Sequence, residues 1–219
     1  MGIEAEFKQV SPYLLEKLKK YPDFVELLFN AQYLPDSLFW QKFTINPDDP
    51  DDVEWFDELT LFAAETLEKL KQEKPAEFQK LKADIPLILT EGKDKYLDVD
   101  KTWRTIHFLL TGYDYSFIPP FIIGENEEDH LPSINAVLSG TEIDYNAGYG
   151  KVRYLSANEV GQVADALSTF THANISERLR QRGWKEESYD YLFEYTYNPL
   201  VRYYHDATQK GNAMFLYLT

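Results

Sequence analysis

The sequence contains no cysteine among its 219 residues. This excludes disulfides, thiol catalysis and cysteine-based zinc sites. Positive charge is also scarce, because 22 Lys and Arg face 37 Asp and Glu, which gives a net charge of −15. Binding to nucleic acid needs clustered basic residues, so no nucleic-acid partner is predicted. An acidic surface of this kind favours solubility, and it would attract a basic protein partner.

Long apolar runs are missing as well. No stretch approaches the roughly 20 apolar residues of a membrane-spanning helix. The first residues also lack the basic start and apolar run of a signal peptide. We therefore expect a cytoplasmic protein without membrane association. Apolar residues still make up 44% of the chain, so a sizeable core is expected rather than disorder.

Three segments have the patterns of β-strands. Apolar and charged residues alternate from Ile3 to Phe7 and again from Lys151 to Tyr154, which predicts two half-buried strands. The continuous apolar run Ala213 to Leu218 predicts a central, fully buried strand. Because helical patterns separate these strands, we predict a helix-rich α/β fold of the α+β type. Both ends of the chain would lie in one small mixed β-sheet.

Caps and apolar spacing predict the helices around this sheet. Ser11 with Pro12 opens one helix, and Ser156 with Glu159 forms a capping box that opens another. The predicted helices are Tyr13 to Lys20, Asp23 to Phe29, about Asp51 to Gln72, Pro75 to Leu81, Val99 to Thr111, Pro132 to Gly140, Ser156 to Phe170, Asn174 to Arg182, and Glu186 to Lys210 with a break at Asn198-Pro199. Residues 113–131 are predicted to form a loop. No linker or repeat divides the chain, so one domain over 1–219 is predicted.

The sequence contains only incomplete versions of the motifs that bind cofactors and metals. The glycines of Gly148-Tyr149-Gly150 lack the third glycine of a dinucleotide site, and a turn between strands explains them better. The four histidines have no second histidine or acid at metal-ligand spacing. Asp98 and Asp100 are better explained as caps on free backbone N–H groups than as calcium ligands. No metal and no cofactor is predicted.

One predicted helical segment contains a set of residue types that helix formation alone does not require. Trp103, His107 and Leu110 are spaced so that they share one face of the predicted helix. Trp103 and His107 would then form either a buried structural contact or the wall of a cleft. In a cleft, His107 would be the natural acid, base or hydrogen-bonding group.

Around this segment the sequence resembles the YfbM-like bacterial family (domain of unknown function 1877). The resemblance rests on the run from Asp98 to Gly112, in which Asp, Lys, Trp, His and Thr-Gly fall in one register. It extends to the opening strand with Val10-Ser11-Pro12, to Gly150 through Leu155, and to the ending from Tyr203 to Leu218. It is weakest from about 40 to 95, which would be a helical insert.

The resemblance implies a single α/β domain and no activity, because the family has no known function. It therefore assigns no catalytic residue. Six residues match the family pattern and are our candidate binding residues: Asp100, Lys101, Trp103, His107, Thr111 and Arg153.

Two acidic runs, at 48–58 and 125–129, are typical of solvated surface and could alternatively form a docking face for a basic protein. The leading hypothesis is a non-enzymatic binding or interaction protein, in one form an immunity-type inhibitor of a basic toxin. A small enzyme that uses His107 with Asp100, Lys101 or Arg153 is an alternative. A binder of anionic ligands that uses Lys101 and Arg153 is another. The sequence does not specify an oligomeric state.

Overall fold

The computed structural model describes residues 2–184 and 189–219, and 57% of these residues are helical. Two compact units divide the chain. The sheet unit comprises the N-terminal residues through Phe7 together with Leu97–Thr219, and the helical unit comprises Lys8–Tyr96. The expectation of one domain with a helical insert stays a prediction.

Within the described residues, the main sheet has five strands in the order β2-β1-β7-β6-β5. These strands are β1 (Ala5–Val10), β2 (Tyr96–Asp98), β5 (Thr141–Asn146), β6 (Lys151–Leu155) and β7 (Ala213–Leu218). The predicted central strand is confirmed, because β7 lies in the middle of the order and is buried along almost its whole length. The helix-rich α+β class is confirmed too, whereas the sheet is antiparallel and not mixed as predicted.

The turn between β5 and β6 is the one that the glycines predicted. Ala147 donates its N–H to the carbonyl of Gly150 at 3.1 Å, and Gly148 has a φ of +70° that a side chain would strain. A smaller antiparallel pair consists of β3 (Ile123–Glu125) and β4 (Pro132–Ile134).

Five α-helices complete the described part of the sheet unit. They are α6 (Trp103–Thr111), α7 (Ala157–Thr169), α8 (His172–Gln181), α9 (Tyr189–Leu192) and α10 (Asn198–Lys210). The predicted capping box at the start of α7 is confirmed, because Ser156 and Glu159 exchange both hydrogen bonds. Helix α7 packs between β7 and α10, so its apolar face forms the centre of the core.

The helical unit, all of which is described, contains five more α-helices. They are α1 (Pro12–Lys20), α2 (Val25–Asn30), α3 (Pro50–Glu73), α4 (Pro75–Leu81) and α5 (Ile85–Lys93). The bounds of α1, α3 and α4 match the predicted helices to within about two residues, because each begins at a proline in its first turn. Helix α5 was not predicted.

Three expectations for helices need correction. Pro132 begins strand β4 rather than a helix. As the first residue of the strand, it is tolerated although it lacks a backbone N–H. Asp23 pairs with Lys74 at 2.8 Å inside a 3₁₀ turn, and it caps no helix. The third correction concerns the predicted helix break at Asn198-Pro199. The break does not occur there, because the backbone of Asn198 stays helical.

A π-helical stretch explains how the chain accommodates this proline. Phe193–Tyr197 forms the wide turn, and Asn198 donates its N–H to the carbonyl of Phe193. A proline lacks the N–H that an α-helix needs and crowds the preceding turn, so a wider turn just before Pro199 relieves both problems. The first residues of the predicted helix, Glu186 to Ser188, lie outside the described part of the chain.

Candidate functional site

The turn before α6 shows what the two aspartates do. Asp98 accepts a hydrogen bond from the backbone N–H of Asp100, and Asp100 accepts one from the N–H of Lys101, both at 2.6 Å. These bonds satisfy N–H groups at the start of a helical turn, as the capping interpretation expected. Lys101 is exposed beside them.

Trp103 and His107 both lie on the buried face of α6. Trp103 is 3% exposed, and its indole N–H donates to the carbonyl of Ile3 at 2.8 Å, which ties the helix to the N-terminal segment. His107 is fully buried, and its Nε2 lies 3.3 Å from the carbonyl of Phe117. Since a carbonyl can only accept, Nε2 carries the proton of this hydrogen bond.

Burial lowers the pKa of His107, and the bond to Phe117 together with the nearby Asp114 carboxylate offsets only part of that effect. The imidazole is therefore neutral at pH 7. Its other nitrogen, Nδ1, is buried and has no hydrogen-bond partner among the described residues. A general acid or base must reach the proton that it transfers, and a fully enclosed ring does not offer that access.

Thr111 closes the same helix. Its hydroxyl donates to the carbonyl of His107 at 2.7 Å and accepts from the N–H of Tyr113 at 3.0 Å. Gly112 follows in the left-handed conformation with a φ of +77°, as expected for the residue that ends a helix.

Arg153 lies on β6, apart from these residues. It pairs with Glu142 on the neighbouring strand at 2.6 Å and donates to the carbonyl of Gly140 at 3.2 Å. It also lines an open hollow of about 480 Å³ with Ser139 and the loop 118–122. The structure thus brings Trp103, His107 and Thr111 together as one buried helix face, while Arg153 faces a different hollow. Whether any of the six candidates binds a ligand stays a prediction.

The first acidic run forms a distinct surface in the helical unit. Along the first turns of α3, Val53, Glu54, Asp57, Glu58 and Leu61 follow the spacing of a single helix face. Val53 and Leu61 are 36% and 54% exposed, and the three acids between them lie at the surface as well. We call these five residues the acidic face.

The acidic face borders an open hollow of about 810 Å³, whose lining also includes Pro47, Asp48 and Pro50. From Phe43 through Glu68 the sequence has nine acidic residues and no Lys or Arg. Within residues 2–184 and 189–219, none of Glu54, Asp57 and Glu58 forms an ion pair. Their charges are therefore available to an external cation.

Aromatic rings anchor the start of α3. The ring of Trp40 lies 4.6 Å from Phe56 and 5.3 Å from Trp55, and Phe43 lies 5.2 Å from Trp55, measured between centroids. The indole N–H of Trp40 donates to the carbonyl of Tyr33 at 3.1 Å. These contacts pack the first turns of α3 against the segment from Tyr33 to Phe43.

The sequence reveals the acids of this surface but not its apolar part. The run at 48–58 is conspicuous for its charge, and that charge does not point to Val53 and Leu61. The sequence does contain one signal for these two residues. Val53 and Leu61 each lie four residues from Asp57, so they share its helix face and lie outside the apolar stripe that α3 buries.

No helix of the described residues is both long and apolar enough to cross a bilayer.

Comparisons with known proteins add a family but no activity. Among curated proteins, none matches the chain. The crystal structure of a protein of unknown function, YfbM from Escherichia coli, is 15% identical and matches with a TM-score of 0.48, covering 99% of both chains. The family model for the domain of unknown function DUF1877 matches residues 1–217, so the chain belongs to this family.

Proposed function

We propose that this protein is a non-enzymatic binding protein whose acidic face docks a basic segment of a partner protein. The observation that carries the proposal is the combination of three unpaired acids with two exposed apolar side chains on one helix face, beside an open hollow. The occupant would be an amphipathic segment, with Lys or Arg meeting Glu54, Asp57 and Glu58 and apolar residues covering Val53 and Leu61.

Charge complementarity supports this occupant. The sequence from Phe43 through Glu68 carries nine acids and no Lys or Arg, so this charge would steer a basic partner towards the surface and raise the association rate. The apolar residues would supply contact area that pure charge attraction lacks, and they favour a partner with a defined shape over a diffuse polycation.

A more specific form of the proposal is an immunity-type inhibitor of a basic toxin. An acidic protein can neutralise a basic nuclease by occupying the surface that would bind phosphate. The enzyme alternative finds less support, because its proposed acid or base, His107, is enclosed and neutral.

The test compares two variants that each remove three negative charges. The face variant carries Glu54→Gln, Asp57→Asn and Glu58→Gln. The control variant carries Glu73→Gln, Asp165→Asn and Glu194→Gln, which neutralise exposed acids outside both acidic runs. Binding of a helical Lys/Leu peptide with segregated faces is measured by calorimetry, against a scrambled peptide of the same composition.

We expect the amphipathic peptide to bind the wild type and the control alike, and the face variant at least about tenfold more weakly. Equal losses in the two variants would show that net charge alone drives binding, which contradicts the proposal. Equal binding of the scrambled peptide would contradict the role of Val53 and Leu61.

The inhibitor form has a separate test. A basic protein captured from the native cells by the wild type and the control, but not by the face variant, is expressed alone and then with the wild type. Toxicity that the wild type relieves supports the inhibitor. A partner that is harmless alone contradicts the inhibitor and leaves the docking proposal in place.

A further inference from the structure

A second pocket, in the sheet unit, has the opposite electrostatic character. It lies on the exposed side of α6 and encloses about 150 Å³. Its lining includes Arg104, Phe108, Asp114, Tyr115, Arg182 and Trp184. We call it the arginine pocket. In a chain with a net charge of −15, a concave site with two arginines and one carboxylate is a local exception.

Arg104 is held by aromatic rings rather than by an acid. Its guanidinium carbon lies 4.4 Å from the ring centre of Tyr115 and 5.3 Å from that of Trp103. Among residues 2–184 and 189–219, no carboxylate pairs with it. A ring contact uses the face of a guanidinium and leaves the N–H groups at its edge for another partner, so this exposed side chain is oriented by the rings and has donors available to an anion.

Arg182 is fixed from two directions. Its guanidinium carbon lies 3.9 Å from the ring centre of Phe108, and its Nη2 lies 3.0 Å from a carboxylate oxygen of Asp114. The hydrogen bond from Arg182 holds the pKa of Asp114 below its usual range, so this carboxylate is ionised at pH 7. Asp114 therefore neutralises one arginine and leaves the charge of Arg104 uncompensated.

From this geometry we infer that the arginine pocket binds a small oxyanion, a carboxylate or a phosphate group. The free edge of Arg104 offers the forked donors that such groups accept in pairs. Its orientation exists before the ligand arrives, which reduces the entropy lost on binding. The volume suits the anionic group itself, and the rings of Tyr115 and Trp184 would contact whatever apolar part is attached to it.

The hollow beside Arg153 does not support the same inference. There the guanidinium is already neutralised by Glu142 and bonded to a carbonyl, so it offers an incoming anion less than Arg104 does. The anion site that the sequence predicted at Lys101 and Arg153 stays a prediction, and the arginine pocket is a separate site built on α6 and the end of α8. This inference is independent of the acidic face, which belongs to the helical unit.

The test is a calorimetric titration of the full chain with inorganic phosphate and, separately, with acetate, at constant ionic strength. Arg104→Gln removes the uncompensated charge from an exposed side chain that has no ion pair to lose among the described residues. Arg202→Gln is the matched control, because Arg202 is exposed on α10 and its loss changes the net charge equally. Asp114→Asn removes the only carboxylate in the described lining of the pocket.

We expect Arg104→Gln to weaken binding at least about tenfold, Arg202→Gln to leave it unchanged, and Asp114→Asn to strengthen it. Binding of phosphate alone or of acetate alone supports the site and identifies the group that it prefers. Three results would overturn the inference: no binding of either anion up to about 10 mM, equal losses in the two arginine variants, or weaker binding by Asp114→Asn.

Discussion

His107 illustrates how burial decides the use of a titratable residue. Its ring is fully buried and neutral, one nitrogen donates to the Phe117 carbonyl, and the other has no partner in the described part of the chain. A charged imidazole in this position would lose more by burial than it gains from the nearby Asp114 carboxylate, so the folded state resists protonation.

This resistance gives a prediction for stability against pH. The pKa of His107 is lower in the folded state than in the unfolded chain, whose histidines titrate at about 6.5. As the pH falls below about 6.5, the unfolded chain takes up a proton that the native state refuses, so stability is lost. We expect His107→Gln, which keeps a donor for Phe117, to lose less stability than the wild type between about pH 7 and pH 5.

Urea unfolding at several pH values measures this difference, and the carboxylates cancel in the comparison because both proteins contain them. His130→Gln is the control for the change from His to Gln, because it replaces an exposed histidine outside the buried face of α6. Parallel profiles for wild type and His107→Gln would show that His107 does not resist protonation in the native state.

At the scale of single residues, the sequence predicts which helix face a side chain occupies better than it predicts its hydrogen-bond partners. The spacing of Trp103 and His107 correctly placed both on one helix face. Their hydrogen bonds to Ile3 and Phe117 could not be predicted, because these acceptors are backbone carbonyls whose positions depend on the path of distant segments. A backbone acceptor has no residue type and leaves no signal in a sequence.

Between elements, a buried arginine joins a loop to two helices. Arg178 on α8 is fully buried and pairs with Asp129 through two bonds of 2.8 and 3.2 Å. It also donates to the carbonyl of Leu109 near the end of α6, at 2.8 Å. Burial alone would raise the pKa of Asp129, but the bonds from Arg178 and the N–H of Leu131 keep it below its usual range.

Removing this arginine should therefore be costly. In Arg178→Met the carboxylate of Asp129 stays in a mostly buried position without its counter-ion, so we expect a loss of about 3–5 kcal/mol in the free energy of unfolding. Arg180→Met is the control on the same helix. Arg180 pairs with Glu177 at the exposed surface, where solvent screens the interaction, and its loss should change little.

Urea unfolding measures both variants. The double variant Arg178→Met with Asp129→Leu should recover part of the loss, because it leaves no unpaired charge in the interior. A loss in Arg178→Met no larger than that in Arg180→Met would contradict the structural role of this ion pair. So would a double variant less stable than Arg178→Met.

At the scale of elements, local signals explain both successes and errors. Prolines in first turns, the Ser156 capping box and the glycines after α6 and α10 act within a few residues, so the sequence predicted these boundaries. Strand β4 depends on pairing with β3, and the π-helical stretch depends on the packing around it. Neither has a local signal, which is why Pro132 and Pro199 misled the prediction.

Over the whole molecule, charge is abundant and uneven. The chain has a net charge of −15. Nine of its acidic residues lie from Phe43 through Glu68, a range that contains no Lys or Arg. Exposed like charges repel one another within a Debye length, so this distribution opposes folding while it favours a basic partner. The same residues that would bind thus reduce the stability of the protein that carries them.

Salt should therefore stabilise this protein. From about 0.01 M to about 0.15 M NaCl the Debye length falls from about 30 to 8 Å, which screens the repulsion. We expect the Tm to rise, by about 2–4 °C for each kcal/mol of repulsion relieved. The variant with Glu54→Gln, Asp57→Asn and Glu58→Gln should start with a higher Tm at low salt and gain less from added salt. Scanning calorimetry across this range measures both effects, and a Tm that falls with salt would show instead that the surface ion pairs outweigh the repulsion of the acidic face.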